Sequence, residues 1–218
     1  LIYKRAIQKN IHGKDKDMIA IIDYDAGNLK SVEKALQYLG EETVVTRDKE
    51  VILAADKVIL PGVGAFGDAM EKLHNYHLVD VIKEAAASGK PFLGICLGLQ
   101  LMFESSEEAP GVDGLGILKG KIVLIPDTPG LKIPHMGWNS LDVSNKTRLF
   151  NGIEQQSYVY FVHSFYLKAE VEEEVAASTE YGVHIHAAVE KGNIFACQFH
   201  PEKSGEVGLK ILKNFAGI

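Results

Sequence analysis

Two short segments hold residues whose types and spacing suit nucleophilic chemistry. The first is Gly94-Ile95-Cys96-Leu97-Gly98, a cysteine with a glycine two positions to either side. It falls where an apolar strand pattern, Pro91 to Ile95, gives way to a helical one, Leu97 to Glu104. A side chain at such a junction sits on a sharp turn that the glycines make sterically possible, and the helix N-terminus beneath it favours a thiolate. This is the nucleophile-elbow layout with Cys in place of Ser. The second segment is His200-Pro201-Glu202, at the end of an apolar strand pattern. Proline fixes its own φ and keeps the preceding residue extended, so imidazole and carboxylate leave one rigid corner. A thiolate nucleophile needs a base and a group that orients the base, and these two residues supply both roles. Cys197, inside Phe195-Ala196-Cys197-Gln198-Phe199, reads instead as a core strand residue.

The elements that must position these groups follow from apolar patterning. Ile19 to Ile22 reads as a buried strand that ends in the turn cluster Asp23-Tyr24-Asp25-Ala26-Gly27-Asn28. Asn28 is a candidate cap for a helix with apolar positions Leu29, Val32, Leu36 and Leu39, stopped by Gly40. Thr43 to Thr46 and Lys57 to Leu60 read as further strands, the latter running into the loop Pro61-Gly62-Val63-Gly64-Ala65-Phe66-Gly67, with helices to about Ser88-Gly89. Strands alternating with helices predict a parallel sheet covered on both faces. After about Gly111 short strands predominate: Lys121–Ile125, Ile133–Met136, Tyr158–Val162, Val175–Ser178, Val183–Val189 and Ile194–Phe199, antiparallel in part. A helix over about Gly205 to Phe215 closes the chain. The expected fold class is thus α/β, one domain with an open, mostly parallel central sheet flanked by helices and a strand-rich C-terminal half.

Composition narrows the function. With 23 Lys+Arg against 29 Asp+Glu the formal net charge is −6, which argues against nucleic-acid binding. No apolar run approaches the roughly 18 residues of a membrane helix, so no membrane contact is expected. Two cysteines make no disulfide framework, and a cytoplasmic setting is expected. Residues 1–17 carry five basic residues on an acidic chain, and Met18 opens the first strand pattern. They read as a leader or tag of vector or upstream origin, with a native extension as the alternative, and 18–218 as the folded domain. The loop 61–67 is able to turn a peptide N–H toward a ligand without a Cβ clash. As a phosphate cradle it lacks the Lys-Ser/Thr pair of a Walker loop. His184 and His186 share one strand face but have no third ligand in view, so no metal site is expected.

Taken together, Leu60-Pro61-Gly62-Val63-Gly64, Gly94-Ile95-Cys96-Leu97-Gly98-Leu99-Gln100 and Gln198-Phe199-His200-Pro201-Glu202 resemble the class I, triad-type glutamine amidotransferases in order and separation across 18–218. Within that superfamily the Asp23–Asn28 loop, Pro134-His135-Met136-Gly137-Trp138-Asn139 and Tyr160 to Tyr166 resemble the glutaminase subunits of imidazole glycerol phosphate synthases. The resemblance implies Cys96 as nucleophile, His200 as base and acid, and Glu202 as orienter. It implies an oxyanion hole from the backbone of Leu97 and of the Gly62-Val63-Gly64 loop, and a glutamine pocket walled by Gln100, His163, Ser164 and Phe165. The chemistry implied is hydrolysis of L-glutamine to L-glutamate and ammonia, with no cofactor. It implies a heterodimer with a cyclase subunit, a (β/α)₈ barrel that uses the ammonia in histidine biosynthesis. Asn28, Pro134, His135, Met136 and Trp138 are then expected at the partner interface. Two rivals keep parts of this pattern: an amidotransferase subunit serving another pathway, and a partner-free cysteine hydrolase with the same elbow.

Overall fold

Apolar strands with no polar alternation are stable only when both faces are covered, and this requirement organises the molecule. A computed structural model describes residues 17–144 and 147–218. The first sixteen residues of the expected leader therefore lie outside the described residues. Asp17 is described, and its carboxylate pairs with the buried Lys57 ammonium at 2.5 Å.

The N-terminal half runs β1 (Met18–Ile22), α1 (Leu29–Tyr38), β2 (Glu42–Thr46), α2 (Lys49–Ala54), β3 (Lys57–Gly62), α3 (Phe66–Asn75), α4 (Leu78–Ala87), β4 (Phe92–Cys96) and α5 (Leu97–Leu101). It continues through β5 (Ser105–Ser106), β6 (Gly120–Leu124), β7 (His135–Ser140), β8 (Asp142–Val143), β9 (Tyr158–His163) and β10 (Phe165–Ala169). The last elements are β11 (Val175–Glu180), β12 (His184–Lys191), β13 (Ile194–Cys197) and α6 (Gly205–Ala216). The main sheet has the order β2-β1-β3-β4-β13-β12-β10-β6-β5, with β11 and β8 joined to β12 as a flap. From β2 to β13 every pairing is parallel; beyond β13 the β12, β10 and β6 pairings are antiparallel. A separate antiparallel ribbon of β7 and β9 lies outside this sheet.

Side-chain alternation explains the two covered faces. Val58, Leu60 and Phe92 join Phe66, Leu73, Ile82 and Met102 of one apolar cluster, under α3, α4 and α5. Their chain neighbours Ile59, Leu93 and Ile95 point the other way, onto Val32 and Leu36 of α1 and Ile211, Leu212 and Phe215 of α6.

Three expectations are corrected. Asn28 is not a side-chain cap: it sits at φ 74° and makes no capping bond to α1. The helix after Cys96 stops at Leu101 rather than Glu104, because the Leu101, Met102 and Phe103 carbonyls accept N–H groups from Leu115, Leu118 and Gly116 of a returning loop. The Ile133–Met136 strand is displaced to His135–Ser140, after a cis Ile133–Pro134 peptide.

Candidate active site

Cys96 is the last residue of β4 and the first before α5, with φ 55° and ψ −109°, a strained conformation for a residue with a side chain. The flanking glycines allow the turn. A Cβ on Gly98 would lie 1.8 Å from the Leu60 carbonyl oxygen of β3, and one on Gly94 would lie 2.9 Å from the Gly98 oxygen. Gly62 is equally confined, since its Cβ would meet the Tyr24 hydroxyl at 2.2 Å and Leu97 Cβ at 3.1 Å. The five residues of α5 give a short dipole, and a local donor stands at the sulfur instead: Gln198 Nε2 is 3.8 Å from Cys96 Sγ.

His200 follows β13, which pairs in parallel with β4, so base and nucleophile leave adjacent strands. Its backbone N–H donates to the Tyr160 carbonyl (2.9 Å), while its carbonyl accepts from the Ser204 hydroxyl (2.6 Å). Ser204 Oγ in turn accepts the Tyr160 N–H at 3.0 Å, so one buried hydroxyl and one residue of β9 hold the histidine from both sides. His200 Nδ1 donates to Glu202 Oε1 at 2.8 Å, and both side chains are essentially without solvent exposure. The same oxygen accepts Asn28 Nδ2 at 2.5 Å. Burial alone would depress the His200 pKa, but its interactions with Cys96 and Glu202 outweigh burial and raise it to about 9. Among the described residues His200 Nε2, on the ring edge away from Glu202, has no hydrogen-bond partner of bonding geometry. This arrangement favours an imidazolium beside the sulfur.

A pocket of about 300 Å³ opens on these groups, at the lower end of the range for small-molecule sites. Val63, Gly64, Cys96, Leu97, Gln100 and His200 line it, facing a wall of Val162, His163, Ser164 and Phe165. Every expected triad and pocket residue except Gly62 and Glu202 thus borders one cavity, and of those two Gly62 ends β3 next to Val63 while Glu202 is hydrogen-bonded to His200. Gln100 Nε2 donates to the Phe165 carbonyl (3.1 Å) and to Gln198 Oε1 (3.0 Å), which ties the helix to the wall and to the segment after β13 that bears the base. Sequence reasoning missed Glu108, Gln198 and Ser204. Glu108 lines the pocket from a loop and accepts the Phe66 N–H at 2.8 Å. Gln198 and Ser204 stood inside or beside the quoted motif, but nothing in the sequence shows what their side chains reach.

The sequence model described as "Glutamine amidotransferase class-I" matches residues 20–217. The chain belongs to that family. It is 55% identical over 92% of its length to the imidazole glycerol phosphate synthase subunit HisH of Bacillus cereus strain G9842, covering 95% of that protein. Its identity to the subunit of the same name from Caldanaerobacter subterraneus is 53%, over 91% of this chain and 97% of that one. Among solved structures, PurLQS from Thermotoga maritima aligns with a TM-score of 0.71 at 25% identity, over 93% of this chain and 99% of the other.

In this class I amidotransferase the outer ribbon of β7 and β9 presents Met136 (62% exposed), Trp138 (56%) and Tyr158 (59%) on one face. Pro134 is exposed at the pocket mouth and Asn28 is half-buried against Glu202. His135, expected on the same surface, is inside: it is 2% exposed and stacked between Tyr181 (3.9 Å) and Phe161 (4.7 Å). The strand pattern explains it, since residues of β7 alternate between the two faces and His135 has the opposite parity to Met136 and Trp138. His184 and His186 are paired with Glu180 and Glu172. Among the described residues no group of three or more His, Cys, Asp or Glu side chains is placed to hold a metal ion. No helix among them is long and apolar enough to cross a membrane.

Proposed function

We propose that the chain is the glutaminase subunit of an imidazole glycerol phosphate synthase, hydrolysing L-glutamine and passing ammonia to a cyclase subunit in histidine biosynthesis. The observation that carries this is the coincidence of 55% identity to such a subunit over 92% of the chain with one pocket bordered by Cys96, His200 and the wall of Val162, His163, Ser164 and Phe165. Glutamine brings an α-ammonium, an α-carboxylate and a side-chain amide. Glu108 is the carboxylate suited to the ammonium, and Gln100, with both N–H groups already used, offers its carbonyl oxygen to a donor on the substrate.

The reaction begins with Cys96 as thiolate and His200 as imidazolium. Sulfur attacks the amide carbon, and the carbonyl electron pair moves to an oxygen stabilised by backbone N–H groups of Leu97 and the Gly62-Val63-Gly64 segment. As the tetrahedral intermediate collapses, the C–N bond breaks and His200 gives its Nε2 proton to the leaving nitrogen, forming ammonia and a glutamyl thioester. Neutral His200 then takes a proton from water as the water oxygen attacks the thioester. Breakage of the C–S bond releases glutamate and restores the ion pair. Glu202 keeps the imidazole in the Nδ1–H form throughout, and Asn28 holds Glu202.

Ammonia released into bulk water is protonated and lost, so a subunit of this kind works against a partner, here a (β/α)₈ cyclase barrel in a cytoplasmic heterodimer. The apolar face of Met136, Trp138 and Tyr158, with Pro134 and Asn28 nearby, is the surface offered to that barrel. Val63 sits between two glycines, so the oxyanion segment has two accessible peptide orientations, and a partner that prefers the competent one activates the enzyme. A hundredfold activation needs about 2.7 kcal/mol of differential binding. The test is co-purification with a cyclase barrel, then glutamine hydrolysis by the chain alone, with barrel, and with barrel plus cyclase ligand. Strong stimulation by both together supports the reading. Equal rates in all three remove the gating, and partner-free hydrolysis of peptides favours the cysteine-hydrolase rival.

A further inference from the structure

Two buried imidazoles, those of His135 and His163, take no part in the chemistry above, yet they form one directed chain of hydrogen bonds that ends in the pocket wall. His163 Nδ1 lies 2.8 Å from the Phe165 carbonyl, and a carbonyl only accepts, so the hydrogen is on Nδ1. Burial chiefly, opposed by the bond to Phe165 and helped by the nearby His135 and His200, lowers the His163 pKa to about 3. The ring is therefore neutral and its Nε2 is a bare acceptor. His135 Nδ1 stands 3.0 Å from that Nε2 and must be the donor. Burial lowers the His135 pKa to about 4, so its own Nε2 is also an acceptor, facing Asn139 Nδ2 at 3.4 Å. The Asn139 amide cannot turn over, because its Nδ2 also donates to the Glu180 carbonyl (2.9 Å) and its Oδ1 accepts the Ser140 N–H (2.8 Å). Every tautomer from Asn139 to Phe165 follows from fixed carbonyls and a fixed amide at the two ends.

The chain continues on the far side of Phe165. That carbonyl accepts a second bond from Gln100 Nε2, Gln100 donates also to Gln198, and Gln198 Nε2 faces the Cys96 sulfur. One carbonyl oxygen, with both lone pairs engaged, is the common anchor of the wall and of the amides that face substrate and nucleophile. We propose that His135 is a positioning residue for the glutamine pocket, acting through His163 to hold the Phe165 carbonyl and thereby the amide of Gln100. This rests on the glutaminase reading, and it adds a role for a residue that touches neither substrate nor reacting atoms.

The test crosses two substitutions. His135→Phe keeps an aromatic ring between Phe161 and Tyr181 but removes the donor to His163; His135→Asn keeps an N–H near the Nδ1 position but removes the stack. With the complex of chain and cyclase barrel, His135→Phe is expected to raise the KM for glutamine about five- to tenfold, the scale of one hydrogen bond, with kcat changed less than about twofold. His135→Asn should keep KM within about twofold of the parent while melting earlier. The reverse order, or an unchanged KM in both, overturns the proposal. Independently of activity, ¹⁵N correlation spectra of the intact parent chain at pH 7 should show both imidazoles neutral with the hydrogen on Nδ1. Either ring in the Nε2–H form, or cationic, overturns it. A parent complex that fails to hydrolyse glutamine overturns the glutaminase reading instead, and the spectra still decide the chain.

Discussion

Glu202→Gln separates the charge of the triad carboxylate from its geometry. Glu202 Oε1 accepts from both His200 Nδ1 and Asn28 Nδ2, whereas Oε2 is buried without a hydrogen-bond partner among the described residues. In the glutamine variant the amide has two orientations, and the Asn28 NH₂ group discriminates between them. An amide nitrogen at the Oε1 position would point two donors at two donors, so the oxygen stays there and His200 keeps its Nδ1–H tautomer. What is lost is the charge. A hydrogen bond to a charged group contributes about 1.5–3 kcal/mol against about 0.5–1.5 for a neutral one, so the imidazolium loses about 1–2 kcal/mol. At 1.36 kcal/mol per decade, kcat should fall about five- to thirtyfold. Placing Asn28→Asp beside Glu202→Gln reverses the preference, since a carboxylate attracts the amide nitrogen to the shared position and the tautomer turns over. The double variant should then approach the loss of about 10⁴ known for a triad histidine held in the wrong tautomer. Steady-state glutamine hydrolysis by the barrel complex measures both. A single-variant loss of three decades or more, or a double variant no slower than the single, refutes the orienting role given to Asn28.

Cys96→Ala should abolish glutamine hydrolysis while the complex still uses added ammonia; substantial residual glutaminase turnover would remove Cys96 from the nucleophile's place. Gly98→Ala should destabilise the chain by about 3 kcal/mol or more in urea unfolding, because the added methyl meets a backbone oxygen of β3 at 1.8 Å and no side chain is there to move aside. A near-neutral value would mean that α5 shifts freely against β3. His200 is raised from 6.5 to about 9 in the folded chain, so its contribution to stability is complete below pH 6.5 and is lost as pH rises through about 9. Stability measured from pH 6 to 10 should fall across that window in the parent and less in Glu202→Gln; parallel curves would contradict the shift.

Much of the fold was legible because its strands are apolar on both faces. Residues such as Ile19 to Ile22 and Val58 to Leu60 have no polar alternation to misread, and the elbow glycines announce a close backbone approach that the structure locates at the Leu60 and Gly98 carbonyls. The six-residue α2 was not expected, although Asp48 caps it by accepting the Glu50 and Val51 N–H groups, because so short a helix has almost no periodicity. The misreadings of the site have one source. Asn28 was given to its own helix, yet its amide reaches Glu202 across 174 positions. His135 was given to the surface, yet Phe161 and Tyr181 enclose it. Local rules assign a polar side chain to its neighbours in sequence, whereas these partners arrive only with the finished sheet.

The parallel pairing of β4 with β13 has a consequence for how such a chain tolerates change. Cys197 lies opposite Ile95 in that ladder, so the two strand ends from which nucleophile and base emerge are held one strand spacing apart, about 4.8 Å, by backbone hydrogen bonds. No loop sets it. Within the stretch that connects the two strands, the β8–β11 flap makes none of the hydrogen bonds that hold His200 and Glu202 among the described residues, so it is able to lengthen or shorten without moving sulfur from imidazole, whereas the ribbon must keep Tyr160 of β9 against His200. A slip of one residue, by contrast, would turn every side chain of β13 to the opposite face of the sheet and carry the segment that bears His200 out of register with Cys96. The reactive pair is thus insulated from the flap but coupled to the ribbon, because Tyr160, which receives the His200 N–H, also packs against Trp138 on the ribbon's outer face.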